Sequence, residues 1–197
     1  MPRAVYGADP EARAVDAFPP WLLGERAELT TGLESLVDDW AGFHLIKAVC
    51  AALLAALALY AGHRAMALIP VVLLIPNIQR AVAPLSSAFS LLDPVRVRKG
   101  ELGRALALTR AELQATPSGP VRALVDDFAR YHLAMVVMAG ALTAVLVVFG
   151  GRAWRQGRRR WAVATLVAAV VAGVVTAANV TNTLDPAGGL LGFVGGS

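Results

Sequence analysis

The sequence predicts an all-α protein, a four-helix transmembrane bundle built from a tandem two-helix repeat. Three observations lead to this prediction. The chain of 197 residues is 57% apolar and only 16% charged, whereas about a quarter of the residues in soluble domains are charged. Its apolar residues are concentrated in four stretches, and about 20 residues of helix cross a bilayer. A polar pattern at the start of the first stretch returns at the start of the third.

The four predicted spans cover residues 41–61, 65–92, 131–150 and 161–180. The second is the least regular, because Pro70, Pro76 and Pro84 interrupt it. We expect one long kinked span there, with a broken helix or a re-entrant segment as the alternative. A soluble helical domain is excluded, because a chain of this length cannot bury four nearly charge-free helices on all sides.

The spans and their flanking sequences divide the chain into five parts. These are an acidic N-terminal extramembrane segment (1–39), a first two-helix membrane repeat (40–94), a connecting segment (95–124), a second two-helix membrane repeat (125–186) and a Gly-rich C-terminal tail (187–197). In the connecting segment, Leu102, Leu106 and Leu113 have helical spacing, which predicts an amphipathic helix on the membrane surface. The tail is predicted to fold over the mouth of the bundle or to be disordered.

The orientation in the membrane follows from the basic residues. Five arginines lie between residues 152 and 160, which predicts that this loop faces the cytoplasm and that both termini are extracytoplasmic. Arg96, Arg98 and Lys99 argue against this orientation, because they follow the second span closely. The net charge of +4 therefore reflects loop topology, and no nucleic-acid partner is expected. Arginine greatly outnumbers lysine, which is typical of a GC-rich bacterial genome, so we expect a bacterial plasma-membrane protein.

The repeat is visible when residues 36–64 are placed on residues 124–152. No gap is needed, and 13 of the 29 positions are identical. The polar and glycine identities are Asp38 with Asp126, Asp39 with Asp127, His44 with His132, Gly62 with Gly150, and Arg64 with Arg152. A second echo, SLLDP and NTLDP, sets Ser87 and Ser90 opposite Asn179 and Asn182. Parallel internal repeats are common in membrane bundles. Because two spans separate the copies, both should enter the membrane from the same side.

Polar residues inside the predicted spans gather toward the end that carries the repeated pattern. His44 and His132 lie about one helical turn inside the membrane. The others are Lys47, Asn77, Gln79, Arg80, Asn179 and Asn182. Intramembrane polar groups usually face a bundle interior or a cavity and mark a functional site. The sequence therefore predicts a polar cavity at the extracytoplasmic end.

Several chemistries fit these residues. The four aspartates Asp38, Asp39, Asp126 and Asp127 either cap the starts of the spans or bind a divalent metal. Asp39 and His44 are about 140° apart on a helix, so a metal would need ligands from both repeats or an unwound helix start. The two histidines either pack on the aromatic residue one turn earlier, Trp40 or Phe128, or face each other to ligate haem b. A proton or anion path through His44, His132, Lys47 and Arg80 is the third possibility.

The sequence contains no phosphate-binding glycine loop, CxxC, HExxH or GxSxG motif. Each repeat offers only one candidate histidine, which is few for metal or redox chemistry. The leading interpretation is a non-enzymatic accessory or scaffold subunit in the lipid bilayer, docked on a larger membrane complex or forming a homo-oligomer. The alternatives are a protein that binds haem b or a divalent metal through His44 and His132, and a small oligomeric transporter.

The elements DDW…FH and N-x-x-N-T-L-D-P resemble stretches of uncharacterised four-span integral membrane proteins of high-GC bacteria. The resemblance covers mainly the spans. It implies the four-span architecture, and it brings no activity, cofactor or residue role.

Overall fold

The computed structural model describes residues 9–63, 66–93 and 99–195, and all regular secondary structure in these ranges is helical. The helices are α1 (Pro10–Leu22), α2 (Thr31–Tyr60), α3 (Leu68–Val82), α4 (Pro84–Phe89), α5 (Gly100–Gln114), α6 (Gly119–Arg155), α7 (Arg159–Leu184) and α8 (Pro186–Phe193). Three of them, α2, α6 and α7, are long and apolar enough to cross a membrane. The predicted all-α class is confirmed.

The largest buried apolar side chains form one cluster at one end of the molecule, which we call the head. It consists of α1, α4, α5, α8 and the first turns of α2 and α6. Phe18 of α1 is fully buried there, and its ring meets Trp21 at 6.2 Å and Phe89 at 5.2 Å between centroids, both edge-on. Helices α2 and α6 start in this core, and α7 ends next to α8, so the head fixes the positions of the long helices relative to one another.

The connecting segment and the tail both belong to the head. Leu102, Leu106 and Leu113 of α5 are buried in its core, so the face that was predicted to lie on the membrane surface packs on protein instead. The tail forms α8, and Leu190 and Val194 are buried. The tail therefore folds back onto the protein, which is the first of the two predicted alternatives, and is not disordered over its described residues.

The long helices form two antiparallel hairpins in place of a closed four-helix bundle. Helix α2 pairs with α3, and α6 pairs with α7. The hairpins meet only through α3 and α6: within the described residues α2 contacts neither α6 nor α7, and α3 does not contact α7. The four helices are therefore a row attached to the head. Apolar side chains in a bilayer gain little by leaving lipid for each other, so a closed apolar core is not required.

The second predicted span is broken, and the expectation of one long kinked helix is wrong. Helix α3 ends at Val82, and Ala83 has φ −129° and ψ 71° before Pro84 starts α4. A proline disfavours the helical conformation of the residue before it. Asp185 has nearly the same geometry, φ −128° and ψ 74°, before Pro186. Helix α3 alone is about 22 Å long, short of the roughly 30 Å hydrocarbon core.

The α6–α7 hairpin packs through small residues. An added Cβ would lie 3.7 Å from Thr176 at Gly140, and 2.9 Å from the Leu166 side chain at Gly150. Small residues allow such close approach of helices in membranes. Gly150 thus lies inside α6, whereas its predicted counterpart Gly62 lies in the turn after α2 with φ 79°. The two glycines do not occupy equivalent places, and Arg64 lies outside the described residues.

The head core predicts a position-specific loss of stability. Phe18→Ala removes a fully buried ring and should lower the free energy of unfolding by about 3–5 kcal/mol. Val15→Ala in the same helix changes a side chain that is 40% exposed and should cost less than about 1 kcal/mol. Chemical denaturation in detergent, followed by circular dichroism, measures both. Equal losses would contradict the assignment of the head as the folding core.

Candidate functional site

A histidine and an asparagine join the two arms of the first hairpin. His44 Nδ1 on α2 lies 2.8 Å from Asn77 Oδ1 on α3. Asn77 Nδ2 in turn donates to the carbonyl of Leu73, one turn earlier, at 2.7 Å. Both groups of the asparagine amide are therefore hydrogen-bonded, the oxygen to the imidazole and the nitrogen to its own helix.

The second hairpin contains the same arrangement. His132 Nδ1 on α6 lies 2.7 Å from Asn179 Oδ1 on α7, and Asn179 Nδ2 donates to the carbonyl of Val175 at 2.8 Å. The asparagine follows the histidine by 47 residues here and by 33 in the first hairpin. The second hairpin therefore has 14 more residues (47 − 33) between its histidine and its asparagine, toward the hairpin tip.

This arrangement determines the tautomer of both rings. A backbone carbonyl only accepts hydrogen bonds, so the amide nitrogen of each asparagine faces the carbonyl and its oxygen faces the imidazole. The ring nitrogen Nδ1 must then carry the hydrogen and donate. In the neutral ring, Nε2 is left as an acceptor with a free lone pair.

The surroundings of the first ring are closed. His44 is only 2% exposed, and its Nε2 is buried without a hydrogen-bond partner in the described part of the chain. The Trp40 ring lies edge-on at 4.6 Å, the predicted contact with the aromatic residue one turn earlier. Trp40 Nε1 also donates to Ser87 Oγ at 2.8 Å, which anchors the indole to α4. The indole therefore covers the histidine from the head side.

The second ring borders a cavity. His132 contacts the Phe128 ring one turn earlier at 4.3 Å, again as predicted. Beside it lies a cavity of about 330 Å³ between α4, α6, α7 and α8. Aromatic rings and neutral polar groups line it: Ser86, Phe89, Ser90, Phe128, Tyr131, His132, Asn182, Gly189, Leu190 and Phe193. The cavity is the candidate functional site.

A glycine keeps this cavity open. A Cβ added at Gly189 would lie 2.9 Å from Asn182 Oδ1 and 3.0 Å from the Phe128 ring. Both distances are shorter than ordinary carbon contacts. Any larger residue would push into the cavity wall.

The other predicted polar residues are spread along the row. Gln79 is buried and donates from Nε2 to the carbonyl of Tyr131 at 3.1 Å, which connects α3 to α6. Lys47 and Arg80 are exposed on the first hairpin. Of the polar residues predicted to line one cavity, only His132 and Asn182 line this one. The predicted residues therefore do not share a single cavity.

The four aspartates do not cap the helices that contain them, because α2 and α6 start at Thr31 and Gly119, well before them. Three of the four pair with arginine. Asp39 meets Arg13 at 2.8 Å, Asp126 meets Arg122 at 3.0 Å, and Asp127 meets Arg130 at 3.1 Å. Asp38 is exposed. The capping expectation was therefore wrong for their own helices.

Asp127 instead caps a different helix. It is buried, and its Oδ2 accepts from the backbone N–H of Ser86 in the first turn of α4 at 2.8 Å. The residue before α4 is Ala83, which has no side-chain oxygen to cap the helix itself. Helix α8 is capped by its own N-cap residue, because Asp185 accepts from the N–H of Gly188 at 2.9 Å.

The predicted metal and haem ligands are not gathered. Within residues 9–63, 66–93 and 99–195, no group of three or more His, Cys, Asp or Glu side chains is placed to hold a metal. His44 and His132 lie on α2 and α6, which do not contact each other. They do not face each other across a common core as the haem prediction required.

Most of the cavity wall was missed at the sequence level, because α4 and α8 were read as part of a span and as a tail. A local signal was present for α8. Asp185 followed by Pro186 is the usual combination of an N-cap residue and a proline in the first helical turn.

Comparison with known proteins adds no match to this picture. No family model, no curated protein and no solved structure matches the chain. The functional argument therefore depends on the geometry of the described residues.

Neighbouring aspartates provide a test of the site's framework. Asp127→Ala leaves the Ser86 N–H buried without an acceptor and should lower the free energy of unfolding by about 1–3 kcal/mol. Asp126→Ala removes only an exposed ion pair and should cost less than about 1 kcal/mol. Thermal unfolding in detergent compares the two variants. A larger loss for Asp126→Ala would refute the capping role of Asp127.

Proposed function

We propose that the protein is an integral membrane protein that binds a neutral, hydroxyl-bearing amphiphile in the cavity beside His132. The observation that carries this proposal is the cavity itself, which combines an imidazole with aromatic walls. Its volume of about 330 Å³ lies at the small end of ligand pockets, which usually measure roughly 300–1,000 Å³.

The chemistry of the lining defines the class of ligand. Nδ1 of His132 donates to Asn179, so Nε2 is the ring atom left to bind a ligand, and it accepts. A ligand hydroxyl is the matching donor. Among the residues that the structure describes, no lysine, arginine, aspartate or glutamate lines the cavity, which favours a neutral ligand. Phe89, Phe128 and Phe193 favour a flat or branched apolar body.

The membrane setting follows from the exposed faces of the hairpins. Helices α2, α6 and α7 have the length and composition of spans, and most of each apolar window is not buried by protein. The arginine-rich tip between α6 and α7 supports a cytoplasmic position for the tips. The head and both termini are then extracytoplasmic, at the surface of a bacterial plasma membrane.

We further propose that the two hairpins and their short helices are copies of one unit. Asn77 precedes the break at Ala83 by the same six residues that separate Asn179 from Asp185. On this basis Asn179 corresponds to Asn77, and the earlier alignment of Asn179 with Ser87 is replaced. The 14 additional residues of the second copy lie between the histidine and the asparagine, where they lengthen the hairpin.

The proposed correspondence explains why the space beside His132 is open, whereas the surroundings of His44 are filled. Phe128 and Gly189 beside His132 correspond to Trp40 and Ser87 beside His44. In the first copy the larger indole, hydrogen-bonded to Ser87, occupies the space. In the second copy a smaller ring and a glycine leave it empty. We therefore expect one ligand per chain.

The accessory or scaffold role predicted from the sequence stays a prediction. Docking on a larger complex stays a prediction. Its test is the mass of the particle after purification in a mild detergent, where a mass equal to the chain and its detergent alone would contradict it.

The ligand class is tested with 2-naphthol, which has a donor hydroxyl, and 2-methoxynaphthalene, which lacks one. We expect the protein in lipid nanodiscs to bind one 2-naphthol per chain and to bind the methoxy compound at least roughly ten-fold more weakly, because a lost hydrogen bond to a buried acceptor costs on the order of 1–3 kcal/mol. Equilibrium dialysis against empty nanodiscs corrects for partition into lipid.

Two glycines of α8 give the matched variants. Gly189→Ala narrows the cavity and should abolish the binding of 2-naphthol, whereas Gly192→Ala has no neighbour within 4 Å of its new Cβ and should leave binding unchanged. His132→Phe should remove the preference for the hydroxyl. Equal binding by the wild-type protein and Gly189→Ala would mean that the cavity is not the site.

The orientation is tested by cysteine labelling in cells. Cys50 is replaced by serine, and single cysteines are introduced at Ser118 in the head and at Gln156 at the tip of the longer hairpin. A membrane-impermeant maleimide should label the first position and not the second. Labelling of Gln156→Cys alone would reverse the orientation, and equal labelling of both would contradict the spanning hairpins.

A further inference from the structure

We propose that the first hairpin carries a binding site for the phosphate of an anionic phospholipid, formed by Lys47 and Arg80. This site lies outside the cavity beside His132, and it depends on different residues.

The two cations lie on the same face of the hairpin. The bond between His44 and Asn77 fixes the sides of α2 and α3 that face each other. Lys47 and Arg80 each follow their member of that pair by three residues, which is 300° of rotation, or 60° short of a full turn. In two antiparallel helices these rotations point to the same side of the plane that contains both axes.

The two side chains also converge in depth. Helical side chains lean toward the N-terminus of their own helix. Lys47 does so visibly, because its Nζ lies 4.1 Å above the centre of the Phe43 ring, one turn earlier. By the same preference we infer that the Arg80 guanidinium lies back toward Asn77. Since the helices run in opposite directions, both charges approach the level of the His44–Asn77 pair.

No carboxylate neutralises this pair of charges in the described part of the chain. Neither Lys47 nor Arg80 takes part in a salt bridge there. Asp39, the nearby acid on α2, is engaged by Arg13. Asp38 precedes Lys47 by nine residues, which puts it on the opposite face of α2.

An apolar surface surrounds the two exposed cations. Ile46 on α2 and Val72 and Leu73 on α3 are each more than half exposed. A phosphate held between two cations beside such a surface has room for acyl chains along the hairpin, and arginine and lysine are the usual protein partners of phosphate groups. In the second hairpin the corresponding positions are Met135 and Asn182, so the site belongs to the first hairpin alone.

The experiment uses the full chain reconstituted in phosphatidylcholine vesicles with spin-labelled phosphatidylglycerol or spin-labelled phosphatidylcholine. Electron spin resonance gives the affinity of each lipid for the protein surface. We expect a preference for phosphatidylglycerol that falls roughly five-fold in Lys47→Gln or Arg80→Gln and roughly thirty-fold in the double variant, the size expected from the attraction of each basic residue to anionic lipid.

The controls separate this site from a general charge effect. Arg26→Gln with Arg104→Gln removes two exposed charges from the head and should keep the preference. Lys47→Arg with Arg80→Lys keeps both charges and should also keep it, which guards against loss by misfolding. An unchanged preference in a helical Lys47→Gln, Arg80→Gln protein would overturn the proposal. Displacement of phosphatidylglycerol by millimolar inorganic phosphate would likewise overturn it, because it would assign the site to free phosphate.

Discussion

In each hairpin, one hydrogen bond from a histidine Nδ1 to an asparagine Oδ1 joins the two helices. The polar groups of both proposed sites lie at the depth of these two bonds. Each bond satisfies groups that would be costly to leave unpaired in an apolar region. The asparagine also bonds its own helix, so the side chain has one orientation and the imidazole has one tautomer. The cavity beside His132 and the cations around His44 both lie at this level.

Pro84 and Pro186 each mark the point at which the chain leaves a hairpin and enters the head. Each forces the preceding residue, Ala83 or Asp185, out of the helical conformation, and the chain then turns into a short helix that packs into the head. The start of α8 is capped by Asp185, whereas α4 depends on a buried aspartate from another helix, Asp127. The same bend is therefore stabilised locally in one case and by tertiary contact in the other.

The two hairpins share the histidine–asparagine hydrogen bond and differ in the side chains around it. Around His44 the space is filled by an indole anchored on Ser87, and two cations lie outside. Around His132 the space is a neutral cavity with a glycine in its wall. On the proposed correspondence of the two hairpins, a few substitutions would separate the proposed phosphate site from the proposed site for a neutral amphiphile.

The sequence by itself determined the helical class, the long apolar helices and the two histidines with their aromatic neighbours, because these depend on composition and on spacing along one helix. It could not identify the partners of the histidines. Asn77 and Asn179 lie at different distances along the chain from His44 and His132, so no single spacing from the histidine identifies both asparagines.

Only the tertiary structure decided that the helices form a row, that Asp127 caps α4 and that the tail completes the cavity. Each of these depends on contacts between segments that are far apart in sequence. Local patterns carry little information about such contacts, because the same apolar surface is equally stable against lipid or against protein. The bend at Pro84 has a local cause, but the direction in which α4 then packs is set by the core of the head.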